Sequence, residues 1–140
     1  MLSEVSNSPE ATQAIGSRLG QSLQAGDIVL LTGPLGAGKT CLTRGLAQGL
    51  GLVPDSVLSP TFQLVRELHG GRLSLYHLDL YRLSTVQEVA RLGLEQYFDA
   101  DGVSVVEWPE RLGPLTPKGA WEVVLEPQDN GDRLITVTRP

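Results

Sequence analysis

The residues Gly33-Pro34-Leu35-Gly36-Ala37-Gly38-Lys39-Thr40 follow an apolar run and combine glycines, a lysine and a hydroxyl. They match the pattern G-x-x-x-x-G-K-[ST] without a mismatch. Backbone free of side chains can approach a polyphosphate closely, with its N–H groups wrapped around the oxygens. Lys39 would bring a point charge to the β- and γ-phosphates, and the Thr40 hydroxyl can ligate Mg²⁺. Gly33, Gly36, Ala37, Gly38, Lys39 and Thr40 are thus the candidate phosphate-binding residues.

Turnover of a bound nucleotide also needs a metal partner and a group that positions water. Carboxylates at the C-terminal ends of sheet strands are the place to look, because ligands bind there in open α/β sheets. "LSLYHLD" ends in Asp79 and "VSVVE" ends in Glu107. Either acid can hold Mg²⁺, directly or through water, while the other orients the attacking water. In "LSPTF", Thr61 follows a proline that fixes the chain; it reads equally as a switch-loop threonine whose hydroxyl meets the γ-phosphate or Mg²⁺ and as an ordinary loop-to-strand junction. His77 reads slightly better as a packed histidine than as a group behind the site, and His69 as a solvated one. Trp108, beside Glu107, reads as a core or interface aromatic unless other support is found.

These residues need elements to hold them. "SPEATQAIGSRLGQSLQAGD" reads as a helix, capped by Ser8, with Pro9 at its first position and Ala11, Ile15, Leu19 and Leu23 on one face. Gly26 is expected as its left-handed C-terminal cap, and Gly16 and Gly20 weaken the pattern. "DIVLLTG" is a continuous apolar run, as expected for a strand buried on both faces. A second helix fits Lys39 to Leu50, pointing its positive dipole end at the phosphate loop. "SPTFQLVREL" and "RLSLYHLDLYRL" predict strands joined through "HGG", and a short helix is expected near Thr85 to Leu92. "DGVSVVEWPE" predicts a further strand, and "AWEVVLEP" and "RLITVTRP" an antiparallel hairpin across "QDNGD". This order predicts an α/β core with antiparallel additions.

The 140 residues, 41% hydrophobic, suit one domain spanning 1–140. No apolar run approaches the roughly 20 residues of a membrane span. The start, "MLSEVSNSPE", lacks the basic and apolar regions of a secretory signal. Cys41 has no second cysteine to pair with, which fits a reducing compartment, and the cytoplasm is expected. Net charge is −5, and Lys39 and Lys118 are the only lysines, so tight direct binding of nucleic acid by this chain alone is disfavoured.

Taken in order, "GPLGAGKT", "SPTF", "HLDLYRL" and "VVEWPERL" resemble the bacterial TsaE family, also called YjeE, over nearly the whole chain. The resemblance implies a P-loop NTPase-like three-layer fold, with a mixed, mostly parallel sheet and antiparallel additions. It implies an ATPase needed to form threonylcarbamoyladenosine in tRNA at the adenosine beside the anticodon. Such a protein would act with a TsaD–TsaB complex, its ATP and Mg²⁺ cycle resetting that complex, and would contact tRNA only indirectly. Carried over, Gly36, Ala37, Gly38, Lys39 and Thr40 would bind phosphates, and Thr40 and Glu107 would ligate Mg²⁺. Asp79 would be the second acid, Thr61 the switch-like threonine and Trp108 a residue supporting activity. Ser8 and Glu10 would border the adenine, and Arg133 on the final hairpin would reach the nucleotide. Pro34 stands where the family pattern usually has Asp, at an unspecified position of the loop, so phosphate binding should survive.

The rival reading is a small-molecule or nucleoside kinase. Its lid should carry several arginines, yet from Ser84 to Arg111 only Arg91 and Arg111 itself occur. A nucleotide-dependent switch is a third reading, which Asp79, Glu107 and Thr61 weigh against by arguing for slow hydrolysis. No N-K-x-D guanine motif is present, which favours ATP over GTP. With no second substrate site and no well-placed arginine finger in view, hydrolysis by the isolated chain is expected to be feeble. Lys39→Ala is expected to abolish phosphate binding and leave the fold intact, the loop being a surface feature.

Overall fold

The computed structural model describes residues 2–54, 57, 64–98 and 101–140. The "SPTF" segment with Thr61 lies outside the described residues. Along the chain run β1 (Leu2–Ser6), α1 (Pro9–Ser22), β2 (Ile28–Thr32), α2 (Lys39–Gly49), β3 (Val65–Leu68) and β4 (Leu75–Asp79). Next come α3 (Val86–Ala90), α4 (Glu95–Phe98), β5 (Val103–Glu107), a 3₁₀ segment (Pro109–Leu115), β6 (Trp121–Pro127) and β7 (Arg133–Thr138). One sheet holds all these strands in the order β1-β7-β6-β2-β5-β4-β3.

The apolar run of β2 sits at the centre, parallel to β5 on one side and β6 on the other. β4 continues the parallel block beside β5, whereas β7 and β3 run against their neighbours. Strands β1, β6, β2, β5 and β4 therefore share one direction, and the sheet is mixed but mostly parallel. Alternation along β2 and β5 divides the core between two faces. Val29, Leu31, Val103 and Val105 pack with Ile15 and Leu19 of α1 and Leu42 and Leu46 of α2. Leu30 and Val106 pack instead with Leu78, Val89, Leu94 and Leu112. Each fully buried leucine contributes about 2 kcal/mol, and together they hold a three-layer arrangement. No helix among the described residues is long and apolar enough to cross a membrane.

The start of α1 follows its sequence signals: Pro9 opens the helix and the Ser8 hydroxyl accepts the Ala11 N–H at 3.0 Å. Its end does not. The helix stops at Ser22, Leu23 is extended, and Arg72 caps the free end by donating to the carbonyls of Gly20 (2.8 Å) and Leu23 (3.1 Å). Gly26 takes its left-handed φ of +89° in the turn that leads into β2, where its N–H bonds Gly102 at 2.8 Å. Strand β1 had no counterpart in the sequence reading; it pairs antiparallel with β7 as an edge strand.

Gly16 and Gly20 weaken α1 as an isolated helix, yet they are what lets α1 and α2 touch. A Cβ at Gly16 would lie 2.2 Å from the Leu42 carbonyl oxygen, and one at Gly45 of α2 would lie 1.9 Å from that of Gln13. Backbone stands against backbone, so no side chain can rotate away. Gly45→Ala is expected to cost about 3 kcal/mol, because the helices must be pushed apart. Gly36→Ala, with nothing among the described residues within 4 Å of its Cβ, is expected to cost only left-handed strain, about 1 kcal/mol. Urea unfolding of both variants checks this, and equal losses would contradict the seam.

Candidate functional site

The site is built where β2, β4 and β5 end. The chain leaves β2 at Thr32, turns through Gly33–Gly38 and enters α2 at Lys39. Ala37 donates its N–H to the Pro34 carbonyl at 3.1 Å, so Pro34 opens a tight turn that needs no N–H of its own. Gly36 and Gly38 have φ of +78° and +100°, a region in which a side chain is strained. Gly38 is also the N-cap of α2 and carries no side-chain cap, which leaves N–H groups of the first turn for a ligand. A Cβ there would lie 3.3 Å from Cδ, Nε and Cζ of Arg133, at the start of β7.

Parallel pairing of β4 with β5 sets Asp79 directly opposite Glu107. Both acids thus share one sheet face at the strand ends, beside the loop that leaves β2. The Lys39 Nζ stands 3.8 Å from Glu107 Oε1 and 4.2 Å from the ring centroid of Trp108. Trp108 in turn packs against Tyr81, with ring centroids 4.9 Å apart. Trp108 is the one non-glycine residue with positive φ among those described, at +57°. That sparsely populated conformation turns the chain out of β5 and leaves the ring over the ammonium, and strain of this kind gathers at functional sites.

Lys39 is 6% exposed and Glu107 4%. The loop itself is a surface feature, with Pro34, Leu35 and Gly36 exposed, but Lys39 at the start of α2 is a buried cation with a buried carboxylate partner. Its replacement is therefore expected to cost stability. Asp79 is half-buried, and its Oδ1 accepts the Tyr81 N–H at 2.9 Å. Burial pushes its carboxyl above the usual aspartate range, with Glu107 adding to the rise. The Tyr81 hydrogen bond, His77 and Lys39 oppose it. Burial likewise pushes the Cys41 thiol up, against Arg133 and Arg44.

Together these groups surround a cleft of about 570 Å³, within the size range of small-molecule sites. Gly36, Gly38, Lys39, Thr40, Asp79, Glu107, Trp108 and Arg133 all line it. Gly33 and Ala37 support the loop from behind: Ala37 is fully buried, and a Cβ at Gly33 would lie 3.0 Å from the Leu125 carbonyl oxygen. Ser8 and Glu10 are not brought into the cleft. The Ser8 hydroxyl is committed to capping α1, and Glu10 borders a separate hollow with Gln13 and Gln48. The start of α1 meets the cleft lining at Cys41, whose Sγ donates to the Pro9 carbonyl at 3.0 Å.

Sequence reasoning missed Tyr81, Arg44 and Arg82, which also line the cleft. With Arg133, they bring three arginines to the cleft lining. His77 is not merely packed: its Nε2 lies 2.5 Å from Glu107 Oε2. Its spacing of two from Asp79 on a strand was the available signal, since such residues share a face.

Open N–H groups, one buried ammonium and Arg133 suit a polyphosphate, while a hydroxyl and two carboxylates are the hard oxygen donors a divalent cation takes. The family model "Threonylcarbamoyl adenosine biosynthesis protein TsaE" matches residues 6–135. A Nostoc protein named tRNA threonylcarbamoyladenosine biosynthesis protein TsaE is 44% identical, over 92% of this chain and 80% of its own. A protein of the same name from Treponema pallidum is 41% identical, over 95% and 97%. The crystal structure of Bacillus subtilis YdiB superposes with a TM-score of 0.82 at 34% identity, over 99% of this chain and 84% of that one. The site found from geometry is thus the phosphate loop of a chain that belongs to the TsaE family of threonylcarbamoyl adenosine biosynthesis proteins.

Proposed function

We propose that the chain binds ATP with Mg²⁺ in this cleft and hydrolyses it slowly, as an accessory subunit in forming the threonylcarbamoyl group on the tRNA adenosine next to the anticodon. Its partners in this reading are TsaD and TsaB type proteins, with tRNA held mainly by them, which suits a chain of net charge −5. The supporting observation is the buried Lys39, set between the phosphate loop, Glu107 and Trp108 and facing the in-register Asp79.

Mg²⁺, when bound, would neutralise phosphate charge and polarise the transferred group. Thr40 and Glu107 would hold it, and the N–H groups from Gly36 to Thr40 would cradle the phosphates. Lys39 would exchange part of its contact with Glu107 for phosphate oxygens, while Arg133 would close over the loop at Gly38. Asp79, whose burial raises the proton affinity of its carboxylate, is suited in the ionised form to orient a water and accept its proton. Thr61 would act as the switch-like threonine.

The test is capture of the chain by purified TsaB and TsaD. Capture that needs ATP and Mg²⁺ and is lost in Lys39→Met supports the reading. No capture under any condition overturns the partnership and brings the small-molecule kinase forward. Turnover by the isolated chain at kinase rates, on the order of 1–100 per second, would overturn the partner-dependent part.

A further inference from the structure

The chemistry above gives no task to one buried group that stands behind the cleft, in contact with Glu107 of its lining. His77 lies on β4, two residues before Asp79, and is 2% exposed. Its Nε2 is 2.5 Å from Glu107 Oε2. A carboxylate only accepts, so this bond places the proton on Nε2. Nδ1 is buried and has no hydrogen-bond partner among the described residues. An apolar side chain would fill the same space with no orphaned nitrogen, so packing alone is a poor account of a histidine here. Its polar contact is with Glu107.

The two Glu107 oxygens are treated differently. Oε2 is held tightly by His77. Oε1 faces Lys39 at 3.8 Å, beyond hydrogen-bond distance. A glutamate has three side-chain torsions, and at a strand end it would otherwise sample several orientations. One alternative is collapse onto the Lys39 ammonium with both oxygens, which would withhold both groups from a ligand. Anchoring Oε2 removes these alternatives and leaves Oε1 presented to the cleft.

We propose that His77 is a positioning residue for the metal: by fixing Glu107 through Oε2, it holds Oε1 where, with Thr40, it takes up Mg²⁺. This rests on the reading of the cleft as an ATP–Mg²⁺ site. Hydrogen-bonded supports of this kind set metal affinity, and their loss typically weakens it tenfold or more.

His77→Gln and His77→Met test it, because the two side chains match in size and differ in the donor. The Gln amide nitrogen can stand where Nε2 stands; Met offers nothing to Oε2. The dissociation constant of a fluorescent ATP analogue is measured with Mg²⁺ and again with EDTA, and the ratio of the two is the readout. In His77→Met the Mg²⁺-dependent tightening is expected to fall about tenfold or more, and in His77→Gln to stay within about threefold of the native chain. General damage to the site would weaken binding in both conditions and leave the ratio unchanged. His77→Leu replaces the Met variant if thermal melting shows that it does not fold. A native ratio in the donorless variant overturns the proposal, as does a Gln variant that loses the ratio as fully as Met. Failure of the underlying reading looks different: the native chain would bind the analogue in neither condition, or equally in both.

Discussion

Lys39→Met is expected to weaken ATP binding about a hundredfold and to lower the stability of the empty chain at the same time. The first effect follows from the loss of a charge-assisted contact to phosphate, worth about 1.5–3 kcal/mol. The second follows from burial. Lys39 and Glu107 are both nearly inaccessible and stand 3.8 Å apart, so removing the ammonium leaves a carboxylate with His77 as its remaining polar support. That loss is expected to be on the order of 2 kcal/mol. Methionine keeps the hydrocarbon stem under the Trp108 ring, so the cost reads the charge rather than a cavity. Titration calorimetry and urea unfolding check the two effects. Unchanged ATP affinity would contradict the phosphate role of Lys39, and unchanged stability would contradict its pairing with Glu107.

Asp79→Asn is expected to reduce turnover by about 10²–10³-fold, the range a positioned proton acceptor supplies, while ATP binding stays within about threefold because Asp79 is not assigned to the phosphates. The same variant has a signed effect on stability, read in EDTA without nucleotide. Burial and Glu107 raise the Asp79 carboxyl in the folded chain above its unfolded value, against the Tyr81 N–H, His77 and Lys39. Below the ordinary aspartate value both states are protonated and the carboxyl costs nothing. As pH rises above that value, the unfolded chain releases its proton first and the fold loses stability, and the loss is complete above the folded value. Asparagine has no such term. Asp79→Asn is therefore expected to be more stable than the native chain at neutral pH, with the gap closing on acidification. Chemical unfolding at several pH values follows it. A gap that widens toward acid would contradict the burial argument, and undiminished turnover would contradict the role of Asp79.

The phosphate loop was legible because its demands are local. Close backbone approach requires Gly36 and Gly38, and the strand and helix on either side announce themselves by an apolar run and a spacing of four. The β6–β7 hairpin was legible through its turn residues. Other features depend on contacts far apart in sequence. β1 buries little apart from Ser6, with Leu2 and Val5 well exposed, and it exists by backbone pairing with β7 at the other end of the chain. Nothing in "LSEVS" specifies that pairing. Gly16 and Gly20 read as helix weakeners because propensity is judged one helix at a time, whereas their reason is the approach of α2. Gly26 fitted a C-cap rule, but Arg72, far along the chain, already satisfied the end of α1.

The site divides in the same way. Lys39, Asp79 and Glu107 were found singly, as strand-end or loop residues. Their relation was not, because strand order cannot be read from the strands themselves. Only once β4 lies beside β5 does Asp79 face Glu107 and does His77 reach Oε2. The twist at Trp108 is likewise invisible in "VVEWPE", since a left-handed tryptophan has no sequence signature.

The central claim is that the cleft at the ends of β2, β4 and β5 holds ATP with Mg²⁺. Calorimetric titration of the native chain with ATP in excess Mg²⁺ tests it most directly. The account predicts saturable binding at one site, lost in Lys39→Met and not displaced by an equal concentration of GTP. A folded native chain that gives no binding isotherm with ATP would contradict it.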